Sequence, residues 1–159
     1  MAITETCKDY CILRTSWVLS HNRTNFVTKI LSKARETPII RVVDDQVGSP
    51  TSSTYIASST MRCIDLDLTG TYHLACAGYA SWANVAEEVM EQARKHGTIG
   101  LSDGAEVIRV HSDEYKTIAM RPLNSKLNCE KWKSASGIQP PCWKDEVHDI
   151  VAKISDAGF

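Results

Sequence analysis

Long apolar runs are missing from this 159-residue chain: no stretch approaches the roughly 18 to 20 residues that span a bilayer. The opening "MAITETCKDY" has neither the basic start nor the apolar stretch of a secretion signal. A cytoplasmic chain with no membrane partner is therefore expected. An excess of one charge is missing as well, since 18 basic residues face 19 acidic ones for a net charge of −1. No basic stripe with interleaved aromatics is present either, so no nucleic-acid partner is expected. The six cysteines (Cys7, Cys11, Cys63, Cys76, Cys129, Cys142) form no CxxC pair and have no histidine at zinc-finger spacing. No metal is expected, and the thiols are expected to be reduced and mostly packed as small hydrophobes. Repeats, low-complexity segments and linkers are also lacking. With 43% hydrophobic and 23% charged residues, the composition fits one globular domain over 1–159, long enough to bury roughly 70% of its unfolded surface.

What is present alternates between two periods. "CILRTSWVLS" reads as a strand buried on both faces of a parallel sheet, because β-branched and aromatic residues crowd an apolar run. Too few residues precede it to hold a parallel neighbour and its crossover. After the turn "SHNRTN", Phe26, Val27, Ile30, Leu31 and Ala34 fall at helical spacing behind Asn25 as cap. "IIRVVDD" is β-rich and ends in "QVGSPT"; Thr51 or Ser52 can cap a helix with Ile56, Thr60, Met61 and Ile64 on one face. "GTYHLAC" is a short strand. The cleanest helix follows: Ser81 caps it, Trp82, Val85, Ala86, Val89, Met90 and Ala93 make its stripe, Glu91 can pair with Lys95, and Gly97 suits its stop. "EVIRVH" predicts a strand, Glu130 to Ser136 a short helix, and Trp143, Val147, Ile150, Val151 and Ile154 a final one. Strands alternating with helices indicate an α/β fold.

The phrases "ILRTSWV", "NFV", "RVVDDQVGSPTS", "GTYHLA", "SWANVAEEV", "RPLNSKL" and "GIQPPCW" stand in this order. Together they resemble the C-terminal half of dTDP-4-dehydrorhamnose reductase, an extended short-chain dehydrogenase/reductase that makes dTDP-rhamnose with NADPH or NADH. The likeness runs from about Ile12 to Ile154. It implies the C-terminal part of a Rossmann-type fold without the N-terminal dinucleotide-binding strands, with "CILRTSWVLS" resembling the sixth strand of a doubly wound sheet. None of the eight glycines forms the glycine-rich turn through which backbone approaches a pyrophosphate. Short-chain dehydrogenases also need a proton-donating Tyr with a Lys four residues later. Here Arg14, Ser59, Cys76, Ala83 and Ala119 follow Tyr10, Tyr55, Tyr72, Tyr79 and Tyr115 at that distance. No cofactor is therefore expected to bind this chain alone.

By resemblance, Trp17 lines the sugar pocket, where an indole can stack on a pyranose face; an apolar-strand Trp is otherwise core. Asn25 and Phe26 open a helix whose family counterpart faces the diphosphate or the base, and free N–H groups there attract phosphate, although Asn25 can also be only a cap. Arg121 resembles the arginine that clamps the diphosphate. Gln46 lies where the family brings a loop to the cleft. Thr15 and Ser16 would lie near the nicotinamide in a complete enzyme. Asp44 and Asp45, adjacent on a strand, point to opposite faces and are no acid–base pair; His73 and His111 belong to no recognisable triad. Within its own half the chain departs from the family at Tyr55, where an acidic residue is usual, at Cys142 in place of an Asp before Trp143, and ahead of Arg121, where a proline is common.

Two expectations follow. One is a truncated reductase-like protein that carries the nucleotide-sugar-binding region, takes a dTDP-sugar nucleotide and is inactive alone. The other is a non-catalytic interaction module that pairs through its orphan N-terminal strand with a second copy or with a Rossmann-type partner.

Overall fold

The computed structural model describes residues 3–98, 100–102, 104–115, 119 and 121–158. A short helix α1 (Ile3–Thr6) leads into β1 (Cys11–Arg14), which pairs in parallel with β6 (Gly70–His73) in the register Cys11 to Gly70 and Arg14 to His73. β2 (Val18–Leu19) pairs in parallel with β5 (Thr51–Ser52), and β3 (Ile39–Val43) in parallel with β8 (Glu106–Val110). β4 (Val47–Gly48) lies between β7 (Ala80–Ser81), antiparallel to it, and β9 (Asn124–Ser125), parallel to it. The helices are α2 (Phe26–Glu36), α3 (Ser53–Asp65), α4 (Trp82–Lys95), α5 (Glu130–Ser136) and α6 (Trp143–Asp156). None is long and apolar enough to cross a membrane.

The core gathers around α4, which packs against both α2 and α6. Val85, Ala86, Val89 and Ala93 of α4 meet Val27 and Leu31 of α2 and Val147 and Val151 of α6 in one cluster of fully buried side chains. Each large apolar side chain withdrawn from water in this way contributes about 1.5–3 kcal/mol. The caps follow the sequence. Ser81 accepts from the Asn84 N–H at 3.1 Å and Asn84 returns the bond to the Ser81 N–H at 3.0 Å. At the other end of α4, Gly97 has φ 62°, and the Thr98 N–H reaches the Ala93 carbonyl at 2.9 Å.

Two expectations about single elements are corrected. "CILRTSWVLS" is not one strand buried on both faces: it breaks into β1 and β2, and Cys11, Arg14 and Val18 are exposed. The break is at Trp17, whose φ of 47° lies in the left-handed region and turns the chain out of extended geometry. Among the described residues β1 has one strand neighbour, β6, so a further strand could pair with its other edge. Helix α3 likewise buries Tyr55, Ser59 and Cys63 rather than the stripe of Ile56, Thr60, Met61 and Ile64. Tyr55 turns inward because its hydroxyl accepts from the fully buried Trp132 Nε1–H at 3.0 Å. That contact leaves Met61 58% and Ile64 63% exposed.

Candidate functional site

Helix α2 carries Phe26, Lys29, Ile30 and Lys33 at spacings of three and four residues, hence on one face. That face forms one wall of a cavity of about 450 Å3. Strand β3 and the turn after it add Arg41 and Gln46, the start of α4 adds Trp82, and the stretch between β8 and β9 adds Tyr115 and Arg121. Phe26 and Trp82 touch, with ring centroids 4.4 Å apart and planes inclined by 43°. The lining combines aromatic faces with the cations Lys29, Lys33, Arg41 and Arg121, and no carboxylate is among the described lining residues. A pocket of this kind suits a ligand with a flat or ring-shaped part and negative charge. Arg41 is partly engaged already, pairing with Glu114 at 3.5 Å on the surface.

The residues singled out in the sequence are distributed as follows. Phe26, Gln46 and Arg121 come together at the cavity. Trp17 stands behind it, stacked on Trp82 with centroids 3.8 Å apart and 8° between planes. Asn25 caps α2, accepting from the Val27 N–H at 2.9 Å while its Nδ2 donates to the Ser20 carbonyl at 2.7 Å. The Asn25 N–H itself donates to Thr28 Oγ1 at 2.9 Å, so side chains already satisfy part of the helix start. Ser16 Oγ donates to the Ser49 carbonyl at 3.1 Å, and Thr15 is exposed. Part of the phrase ahead of Arg121, residues 116–118 and 120, lies outside the described residues.

Sequence reasoning missed Trp82, Lys29, Lys33, Arg41 and Tyr115. By spacing Trp82 belongs to the core stripe of its helix, but it is half-buried and lines the cavity. The spacing of Phe26, Lys29, Ile30 and Lys33 could have marked a mixed cationic and apolar face.

The two aspartates are not on a strand: β3 ends at Val43 and both lie in the bend after it, where they turn to different partners. Asp44 accepts from Ser81 Oγ at 2.5 Å and pairs with Arg109 at 3.1 Å, whereas Asp45 turns to Ser112. The hydrogen bond from Ser81, with Arg109 beside it, holds the Asp44 carboxyl below its ordinary value. Hydrogen bonds from Ser112 do the same for Asp45. Burial pushes the Cys76 thiol up to about 12 and the Cys63 thiol up to about 11, so neither is a ready nucleophile near neutral pH. Among the described residues no group of three or more His, Cys, Asp or Glu side chains is arranged to hold a metal ion.

The chain matches the RmlD substrate binding domain family over residues 1–155. It is 34% identical over 149 residues to a dTDP-4-dehydrorhamnose reductase of Salmonella typhimurium, covering 90% of this chain and 49% of that one. It is 35% identical over 149 residues to the enzyme of the same name from Escherichia coli K12, again covering 90% and 49%. A crystal structure of a dTDP-4-dehydrorhamnose reductase from Bacillus anthracis in complex with NADP superposes with a TM-score of 0.83 at 28% identity, over 93% of this chain and 49% of that one. The chain thus spans about half the length of the curated relatives it matches.

Proposed function

Because the chain belongs to the RmlD substrate binding domain family, we propose that it is the nucleotide-sugar-binding part of a dTDP-4-dehydrorhamnose reductase-like protein. The observation that carries this reading is the cavity where Phe26, Trp82, Gln46 and Arg121 meet under a cationic rim. Arg121 and the α2 lysines supply positive charge for a diphosphate, and the guanidinium can grip two phosphate oxygens at once. Phe26 and Trp82 offer flat surfaces to a base or a sugar ring.

The residues present include no glycine-rich turn for a dinucleotide pyrophosphate. The left-handed glycines Gly97 and Gly137 lie past the ends of α4 and α5, Gly70 opens β6, and none opens a helix as a pyrophosphate-binding turn requires. No Tyr is followed by Lys at the fourth position. The role of this chain is thus to bind and orient the sugar nucleotide, and the pure chain is expected not to oxidise NADPH in the presence of dTDP-4-dehydrorhamnose.

Calorimetric titration with dTDP-rhamnose, with free dTDP beside it, tests the reading. Saturable binding is expected, and Arg121→Ala should weaken it by roughly 1.5–3 kcal/mol, as for loss of a charge-assisted hydrogen bond. No binding at millimolar ligand, or full affinity in the variant, would overturn it.

A second reading concerns β1 and α3. The edge of β1 away from β6, unpaired among the described residues, and the exposed Met61 and Ile64 offer backbone groups and apolar surface to a partner. The matched relatives and solved structures are about twice as long. The partner we propose is accordingly a Rossmann-type half that extends the sheet past β1.

A further inference from the structure

The segment of residues 45–48 touches the stretch between β8 and β9 at both ends. At its beginning, Asp45 accepts from the Ser112 N–H at 3.1 Å and from Ser112 Oγ at 2.6 Å, and Gln46 Nε2 donates to the same hydroxyl at 3.0 Å. At its end, the Val47 N–H donates to the Leu123 carbonyl at 2.8 Å, and β4 pairs with β9. Between these two anchors the chain delivers Tyr115 and Arg121 to the cavity. Asp45 does not line that cavity, and its side chain is 22% exposed.

We infer that Asp45 is a positioning residue for the binding cavity: by holding Ser112, which opens a 3-10 turn (Ser112–Glu114) and whose carbonyl accepts from the Tyr115 N–H at 3.2 Å, it fixes where Tyr115 meets a bound nucleoside diphosphate. The inference rests on the nucleotide-sugar reading of the cavity. Gln46 shares the Ser112 hydroxyl, and the tie from β3 to the turn is weaker. Arg41 and Glu114 pair at 3.5 Å with side chains 55% and 52% exposed, and pairs so open to water contribute little. Glu114 also accepts from the His111 N–H at 3.1 Å, which closes the turn on itself without tying it to the cavity wall. The contacts to Ser112 are charge-assisted: the one from the hydroxyl is short, and the other takes up a backbone donor. The Asp45 carboxyl, held below its ordinary pKa chiefly by the hydrogen bond from the Ser112 hydroxyl, agrees with a carboxylate engaged in this way.

The experiment uses the full chain, with Asp45→Ala and Asp45→Asn variants, a Tyr115→Ala variant and the Asp45→Ala/Tyr115→Ala double variant. Amide hydrogen exchange is followed without ligand, and dTDP affinity is measured by calorimetry. Asp45→Ala should speed exchange at Ser112–Tyr115, leave α4 and α6 protected as before, and weaken dTDP by on the order of tenfold. Asp45→Asn, which keeps one acceptor oxygen, should fall between. In the Tyr115→Ala background, Asp45→Ala should cost little more, because its effect passes through the residue it positions. Unchanged exchange at Ser112–Tyr115, or independent losses that multiply in the double variant, would overturn the positioning role while dTDP binding stood. Absence of dTDP binding by the unaltered chain would instead overturn the cavity reading, and the positioning role with it.

Discussion

A methyl group added at Gly48 would sit 2.6 Å from Trp17 Cε2. The backbone there is not left-handed, so sterics alone exclude a side chain. Trp17 cannot retreat freely, since it is stacked on Trp82 at 3.8 Å. Gly48→Ala is expected to destabilise the fold by about 1–3 kcal/mol, as overpacking does, and to disturb the cavity wall through Trp82. Denaturant unfolding followed by tryptophan fluorescence checks this, and an unchanged midpoint would show that Trp17 moves aside. The opposite change is available at Cys142, which stands at the N-cap of α6 without a side-chain hydrogen bond to the helix. Cys142→Asp should raise stability by about 1 kcal/mol, the usual gain from a good cap. A lower melting temperature would show that the exposed thiol has a role the cap geometry does not reveal.

Among the elements, the caps and their partners decide how stability responds to acid. Asp44 receives the hydroxyl of Ser81, the cap of α4, and pairs with Arg109, which also holds Glu87 on the same helix. Asp45 anchors the 3-10 turn after β8. Both carboxyls are held below the ordinary 3.8. Their ionised forms therefore favour the folded state, with a contribution that is complete above about pH 4 and is lost as pH falls through their folded values. Thermal unfolding should show a stability loss on this acid side, and the Asp44→Asn/Asp45→Asn double variant should have a flatter limb. An identical slope would assign the acid sensitivity to other groups. The same elements show where periodicity misleads. The stripe of α4 was legible because its apolar residues all fall on one side, whereas α3 offered two adjacent faces. Tyr55, reaching Trp132 across 77 positions of sequence, decided between them.

For the molecule as a whole, β1 and α3 bear on the partner. A separately produced N-terminal half of a related reductase is expected to co-elute with this chain and to protect the β1 amides from exchange. Charged substitutions at the exposed positions, Met61→Asp and Ile64→Asp, should weaken that association without unfolding the chain, because neither side chain is in the core. Self-association of the chain alone, abolished by the same substitutions, would assign the surface to a second copy instead.

Local chemistry made much of this protein legible in its sequence. Asn25 and Ser81 cap their helices, the stripe of α6 is buried, those of α2 and α4 are buried except for Phe26 and Trp82 at the cavity, and the alternation of strands and helices marks the α/β class. These features depend on neighbours a few residues apart, which a sequence displays directly. The break at Trp17, the face of α3 and the membership of the cavity were not legible. Each depends on contacts between distant segments: Trp17 against Gly48 and Trp82, Tyr55 against Trp132, and Tyr115 and Arg121 against the wall built by α2. Residue order fixed which side chains were available and how each helix would begin and end. Only the packing of remote segments decided which of them share a cavity, because the energy that selects one face over another arises where those segments touch.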